Sequence, residues 1–478
     1  MDLINALQTD NTVTENGMTT STSSLNSCVD LFFTIGSMRG QNPKRLFAKI
    51  SKAFNEDPLT TMKIIFWARD VRGGAGERQI FRDSISWLCN NHREVLNKNI
   101  HLISEDGRWD DVLTLVGTED CWDEPLRLFK EALENGNSLA AKWAPRKGKI
   151  ANIIRKYLKM SPKQYRKLIV GLTNVVETKM CAKDWSSIEY SKLPSLASSR
   201  YMKAFNKNDN DRYMEYKGAL VKGETTINTG AIYPYDVVKS LRGGVNEVAQ
   251  AQWDSLPNYM EGTTERVLPL VDVSGSMAVP AGRNENLSCM DVAISLGLYI
   301  SERNEGVFKD SFITFSSEPT LEKVSGSLYD RVYQMKRSEW GMTTNLEKVY
   351  KLILDQATRH NIPQSDMPTK LLILSDLEFN EISTNGWDRN DCPEWNPTAQ
   401  QMAKTMFEES GYELPEIIYW NIQSRQDNVP VSFDEMGTSL ISGFSPAIMK
   451  SVLSCDDMTP HNMMMETLSN ERYDKVKI

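Results

Sequence analysis

Val267-Leu-Pro-Leu-Val-Asp272-Val-Ser274-Gly-Ser276-Met277 is an apolar run that ends in a polar loop. Strands buried on both faces of a parallel sheet read as continuous apolar runs of this kind. In an open α/β sheet, ligands collect beyond the carboxyl ends of such strands. Asp272 stands at that end, and Ser274 and Ser276 follow on the loop, so three oxygen-bearing side chains converge within five residues. From Glu265 onward, short apolar runs alternate with helical periodicity. Strands are expected over 267–273, 311–315, 370–375 and 417–422, and helices over 290–303, 346–358 and 398–410. That alternation predicts an α/β domain over 265–478 with a mostly parallel sheet covered on both faces.

Two further strand ends supply the same chemistry. Gly341-Met-Thr-Thr344-Asn345-Leu346 places a threonine just before a helix, and Leu372-Ile-Leu-Ser-Asp376 places an aspartate just after a strand. Hydroxyls with one or two carboxylates suit Mg²⁺ (or Mn²⁺), a hard cation that takes about six oxygens, several of them from water. A lone Asp-x-Ser-x-Ser would be equally well explained as a helix cap. The spacing resembles the metal-ion-dependent adhesion site of von Willebrand factor A-type (vWA) domains, and all five positions occur in that family's order. The resemblance implies a metal held by Asp272, Ser274, Ser276, Thr344 and Asp376. Thr343 is adjacent, and Thr344 is favoured because the family places its threonine before Asn or Asp. It also implies that a protein ligand's carboxylate completes the coordination. Glu378 reads either as a supporting acid or as a solvated loop residue.

The first half of the chain is helical in pattern from Leu25 to about Ala204. Asn42-Pro43 and Asp57-Pro58 each read as an N-cap followed by proline in the first turn, and a further helix is expected at Ser161-Pro162. Paired helices with short loops point to a helical-repeat domain, although no fixed sequence period is present. Residues 1–24, rich in Thr, Ser and Asn, are expected to be a mobile arm, at least up to Thr12. Residues 205–264 are expected to connect the helical domain (25–204) to the α/β domain (265–478), with some helix near 237–241.

The net charge of −8 conceals a segregation. From Lys142 to Lys183 there are twelve Lys/Arg and one acid, Glu177, so this segment carries +11 and the remainder −19. Lys142, Arg146, Lys147, Lys149, Arg155, Lys156, Lys179 and Lys183 are the expected phosphate contacts. Trp143, Tyr157 and Trp185 lie among them and are available to stack on unpaired bases, although each tryptophan taken singly is better expected in a core. Seven scattered cysteines without a Cys-x-x-Cys pair fit neither a disulfide framework nor a zinc ribbon. No apolar run approaches membrane-spanning length and the N-terminus has no signal-peptide pattern, so a cytoplasmic location (the host's, if the protein is viral) and no membrane partner are expected.

Several stretches resemble a two-domain family, found in phages, giant viruses, bacteria, plants and fungi, that joins a TROVE-like N-terminal region to a vWA domain. They are Val29-Asp-Leu-Phe-Phe33, Trp67-Ala-Arg-Asp-Val-Arg-Gly-Gly-Ala-Gly-Glu-Arg78, Gly107-Arg-Trp-Asp-Asp111, Ala141-Lys-Trp-Ala-Pro-Arg146, Val176-Glu-Thr-Lys179, Tyr190-Ser-Lys-Leu-Pro194, Ile227-Asn-Thr-Gly230 and Ser442-Gly-Phe-Ser445. A more distant similarity, clearest in Arg-Gly-Gly-x-Gly-Glu-Arg, is to Ro-type proteins. The resemblance implies HEAT-like helical repeats and binding of structured RNA or RNA with single-stranded ends, as a ribonucleoprotein. Ala75 stands where the motif commonly has Lys. Taken from the residues alone, Asp70, Arg72 and Arg78 read equally as a buried polar corner between helices. The loop is not a Walker A motif, because no Gly-Lys-Ser/Thr follows.

Three functional classes follow. The first is an RNA-binding protein with a metal-dependent recognition domain. The second is a metal-dependent protein-interaction or assembly factor without RNA. The third is a phosphoryl-transfer enzyme using Asp272 as nucleophile. The third is disfavoured because Ser274 stands where a general acid would be needed. The expectation is a binding protein, not an enzyme.

Overall fold

The computed structural model describes residues 11–118, 122–282, 287–315, 318–337, 344–381 and 397–478. Two compact units emerge, and neither is contiguous in sequence. One comprises 1–64, 233–246 and 256–470; the other comprises 65–232, 247–255 and 471–478. The division therefore differs from the expected boundaries at 24, 204 and 264.

The α/β unit begins with a hairpin, β1 (Asn11–Val13) antiparallel to β2 (Thr19–Ser21). Thr14, Met18 and Thr20 are buried, and the Thr14 hydroxyl donates to the Phe379 carbonyl at 2.6 Å. The mobile-arm expectation is thus corrected for the part of 1–24 described here; residues 1–10 lie outside the described residues. Low apolar content misled, because this segment is held by hydrogen bonds rather than by a hydrophobic stripe.

Six further strands form one sheet: β3 (Val267–Asp272), β4 (Ser311–Phe315), β5 (Thr320–Lys323), β6 (Lys370–Ser375), β7 (Glu416–Asn421) and β8 (Thr438–Ser442). Their spatial order is β5-β4-β3-β6-β7-β8. All neighbours are parallel except β5, an antiparallel edge strand with mostly exposed residues. Every residue of β3 and β6 is buried, as continuous apolar runs require. The helices Cys289–Arg303, Leu346–Arg359 and Ala399–Glu409 lie close to their expected positions.

The helix Ser27–Ile35 packs against β8. The Ser442 hydroxyl donates to the Phe32 carbonyl at 2.9 Å and accepts from Gly36 N–H at 3.0 Å. A β-carbon at Gly36 would lie 2.8 Å from the Gly443 backbone, so only glycine permits this approach. Arg39 adds a guanidinium 4.1 Å from the Phe444 ring centroid. Two stretches quoted for the family resemblance, 29–33 and 442–445, are therefore packed together.

The second unit has helices and no named strand among its described residues. Its cap signals were readable: Ser161 and Gln164 form a capping box around the N-terminus of Pro162–Leu172. The expected connector 205–264 is corrected, because much of it is core. The helices Ser195–Asn208 and Asn210–Val221 bring Phe205, Tyr213, Tyr216 and Leu220 into one apolar cluster with Ile188, Tyr190 and Val248. Tyr213, Tyr216 and Leu220 fall on one helical stripe, which the polar residues between them concealed.

Candidate metal centre and basic surface

β3 and β6 are neighbours from which the chain departs in opposite directions across the sheet, outward to β4 and β5 on one side and to β7 and β8 on the other. Such a switch point leaves a crevice at the carboxyl ends of the two strands. Asp272 ends β3 and Asp376 follows β6, and both are buried. Ser274 N–H donates to Asp272 Oδ1 at 2.9 Å, and the Ser375 hydroxyl donates to Asp272 Oδ2 at 2.5 Å. The hydroxyls of Ser274 and Ser276 are 2.9 Å apart, and Ser276 hydrogen-bonds to the Asp376 carboxylate. The loop after β6 turns through Leu377, a buried non-glycine residue with φ of +63°. That left-handed conformation is costly for a residue bearing a β-carbon, and Leu377 N–H donating to Ser375 Oγ at 2.9 Å helps to hold it.

Thr344 is tied to the same loop. Its N–H donates to Asn380 Oδ1 at 2.7 Å and its carbonyl accepts from Asn380 N–H at 2.9 Å. Its hydroxyl is buried and has no hydrogen-bond partner among the described residues. Thr343 lies outside the described residues. Four of the five expected ligands are thus linked by direct hydrogen bonds or by charge, and the fifth is tied to the loop that follows Asp376.

Burial disfavours the ionised form of both carboxylates. Burial raises the Asp272 pKa, and the nearby charge of Asp376 raises it further. Burial also raises that of Asp376, opposed by Arg425, whose Nη2 lies 2.7 Å from Asp376 Oδ2. Two carboxylates and three hydroxyls, one of them buried and unpartnered, are a donor set that fits a hard oxygen-seeking ion. Among the described residues no three His, Cys, Asp or Glu side chains gather to hold a metal, so a site here depends on the hydroxyls.

Glu378 is not a solvated loop residue. It is buried, accepts from Glu15 N–H at 2.7 Å and from Asn428 Nδ2 at 2.9 Å, and its carbonyl accepts from the Asn16 side chain. Burial raises its pKa, and the charges of Asp376 and Glu15 add to the effect. Sequence reasoning missed Arg425, Asn428 and the hairpin residues Glu15 and Asn16. None sits at a recognisable spacing from the strand ends. Ser375 was within reach, since it immediately precedes Asp376.

In the helical unit, Arg146, Lys147, Lys149, Lys156 and Lys183 are exposed, whereas Lys142, Arg155 and Lys179 are half-buried. Arg155 reaches the Met160 carbonyl at 3.4 Å, and Lys179 Nζ donates to the Ser187 carbonyl at 2.7 Å. Lys142 Nζ lies 4.0 Å from Glu177. The aromatic residues are less available than the charges. Trp185 packs edge-on to Phe205 against the apolar cluster, and one side of Trp143 carries the Arg108 guanidinium, 3.9 Å from the ring centroid.

The glycine-rich stretch is a polar corner around Asp70. Arg472 grips the buried Asp70 carboxylate through Nε and Nη2, Tyr473 donates to it at 3.2 Å, and Arg72 N–H donates at 2.9 Å. A β-carbon at Gly74 would stand 1.9 Å from the Trp67 carbonyl oxygen, so the turn demands glycine. Ala75 is buried in the turn. The side chains of Arg72 and Arg78 are exposed.

A family model described as "Domain of unknown function (DUF7788)" matches residues 237–477, just over half of the chain. The chain belongs to that family. A second model, "Domain of unknown function (DUF2828)", matches residues 14–117 and 147–265. The DUF7788 match contains Asp272, Ser274, Ser276, Thr344 and Asp376, while the cations from 147 to 183 fall in the DUF2828 match. The chain is similar to the uncharacterized protein L728 of Acanthamoeba polyphaga mimivirus, 28% identical over 518 residues, covering 95% of this chain and 86% of that one. Among solved structures, the RO (RSR) protein of Deinococcus radiodurans aligns at TM-score 0.48 and 13% identity, covering 92% of this chain and 99% of that one.

Proposed function

We propose that this chain is an RNA-binding protein with a metal-dependent recognition domain, and that it is not an enzyme. In this reading the helical unit holds RNA on the surface formed by 142–183. The α/β unit holds Mg²⁺ or Mn²⁺ at Asp272, Ser274, Ser276, Thr344 and Asp376 and takes a protein ligand's carboxylate there. One observation carries the RNA half. Nine of the twelve cations between 142 and 183 are exposed, and none of those nine pairs with a carboxylate among the described residues. A basic face that served only as solvated surface would ordinarily be interleaved with acids at helical spacing, which this segment is not. The resemblance to Ro-type proteins supports the same reading. The metal half is supported by the two buried carboxylates and by the unpartnered hydroxyl of Thr344, whose backbone is hydrogen-bonded to Asn380 on the loop that follows Asp376.

Filter binding on the purified full chain tests the RNA half. A stem-loop with single-stranded ends should bind better than a blunt duplex, because a helical surface cannot enter the deep A-form groove. Affinity should fall steeply between about 50 and 200 mM salt, as phosphate contacts dictate. Adding EDTA should leave RNA binding unchanged. If micromolar protein retains no RNA at low salt, the metal-dependent protein-interaction reading becomes the better account.

A further inference from the structure

The glycine-rich stretch ends at Arg78, which opens the helix Arg78–Asn91, and Arg82 lies one turn further along the same face. Arg82 donates through Nε to Asp111 Oδ1 at 2.6 Å and through Nη2 to Asp110 Oδ2 at 2.7 Å. Arg108 grips the same Asp110, through Nε at 2.9 Å and Nη2 at 2.6 Å. Arg69 Nε donates to the other oxygen of Asp111 at 2.9 Å. Two aspartates are thus shared among three arginines.

Arg78 is the fourth, and its guanidinium makes no hydrogen bond or ion pair among the described residues. Burial lowers its pKa, and the charges of Arg108 and Arg82 lower it further, opposed by Asp110 and Asp111. Its charge does not serve its own helix either. It is the first residue, at the positive end of the dipole, with no acid in the first turn. Even with the buried Glu77 counted, four guanidiniums stand against three carboxylates. Arg82 and Arg108 each keep an Nη1 group with no partner among the described residues, and their side chains are 20% and 30% exposed. The cluster borders the basic surface: the Arg108 guanidinium lies over the Trp143 ring, and exposed Arg146, Lys147 and Lys149 follow Trp143 closely in sequence.

We infer that Arg78, with the Nη1 groups of Arg82 and Arg108, binds a phosphate group of RNA lying on the 142–183 surface. Guanidinium forks match phosphate oxygens in geometry and charge. An anion here relieves the repulsion that Arg78 bears from its two neighbours. Asp110 and Asp111 already fix the forks of Arg82 and Arg108, so binding orders few side chains. A terminal phosphate monoester and an internal diester present the same kind of oxygen, and the test separates them.

This inference rests on the RNA reading above, and the experiment separates the two. Fluorescence anisotropy on the full chain would follow a short single-stranded uridine oligonucleotide, with and without a 5′-phosphate. Thermal unfolding would compare inorganic phosphate with chloride at equal ionic strength. Arg78→Gln should weaken oligonucleotide binding about tenfold, the scale of one charged hydrogen-bonded contact. It should also reduce the salt slope by about 0.7, the value for one single-strand phosphate. Arg72→Gln, which changes an exposed arginine of the same glycine-rich stretch, should do neither. In chloride, Arg78→Gln should melt no lower than the parent, because it removes a repulsion; a lower melting temperature would make Arg78 a structural residue and overturn the site. A loss confined to the 5′-phosphorylated oligonucleotide assigns the site to a terminal monoester, and an equal loss for both assigns it to an internal diester. Binding unchanged in Arg78→Gln, or weakened as much in Arg72→Gln, overturns the site and leaves the RNA reading standing. No oligonucleotide binding, with inorganic phosphate stabilising the parent but not Arg78→Gln, keeps the phosphate site and overturns the RNA reading. Neither response overturns both.

Discussion

Each compact unit buries an aspartate, and the two are finished differently. Asp70 in the helical unit is saturated: Arg472, Tyr473 and the Arg72 N–H all donate to it. Asp272 in the α/β unit accepts from Ser274 N–H and Ser375, yet it faces a second buried carboxylate, and the Thr344 hydroxyl tied to the same loop has no partner among the described residues. A carboxylate whose needs are met internally is a structural corner. One placed against its own charge is the arrangement on which the proposed metal site rests.

The largest effect should come from the corner. Arg472→Ala leaves Asp70 buried without its counter-charge, which should cost about 3–5 kcal/mol, read by urea denaturation of the full chain. A loss under 1 kcal/mol would mean that water reaches Asp70 and that the contrast is false. Asp272→Asn should behave in the opposite manner. Without metal it should unfold within about 1 kcal/mol of the parent, because it relieves the repulsion with Asp376 and keeps an oxygen for Ser375 or Ser274. What it should lose is the stabilisation by Mg²⁺, about 2.7 kcal/mol when the free ion is at 100 times its dissociation constant. Thermal shift with and without Mg²⁺ checks this, and an unchanged metal response in Asp272→Asn would remove the site. A smaller effect is expected at the hairpin. Thr14→Val deletes its bond to the Phe379 carbonyl and should cost about 1 kcal/mol. The smallest stability effect belongs to the exposed face. Changing Arg146, Lys147 and Lys149 together to Ala should move stability by less than about 0.5 kcal/mol. The same triple change should reduce the salt slope of RNA binding by about 2, at roughly 0.7 per single-strand phosphate contact.

These contrasts also show why the sequence was unevenly legible. The sheet could be read because β3, β6 and β7 each carry a continuous apolar run, and the proposed metal constellation because its members sit at fixed offsets from strand ends. Asp272, Ser274 and Ser276 needed only local spacing. Arg425, Asn428 and Glu15 could not be found that way, because they reach Asp376 and Glu378 through folding of segments about 50 and more than 350 residues away. The hairpin and the antiparallel edge β5 are short and polar, so their periodicity carries little signal. The connector was misjudged for a related reason: composition averaged over 205–264 hid three apolar positions on one stripe. Charge segregation located the basic surface, yet composition alone could not show that Trp143 and Trp185 were already engaged.

The Ser442 hydroxyl that joins Phe32 and Gly36 carries a consequence in time. During synthesis, the helix Ser27–Ile35 is made roughly 400 residues before the strand it packs on, and at about 5–20 residues per second it waits some 20–80 s for that partner. Through that interval Phe32, Phe33 and Leu31 have no β8 to cover them. Nascent chains should therefore be vulnerable to aggregation and to chaperone capture at this helix, and that vulnerability should end abruptly when residue 442 clears the ribosome and the helix closes on β8.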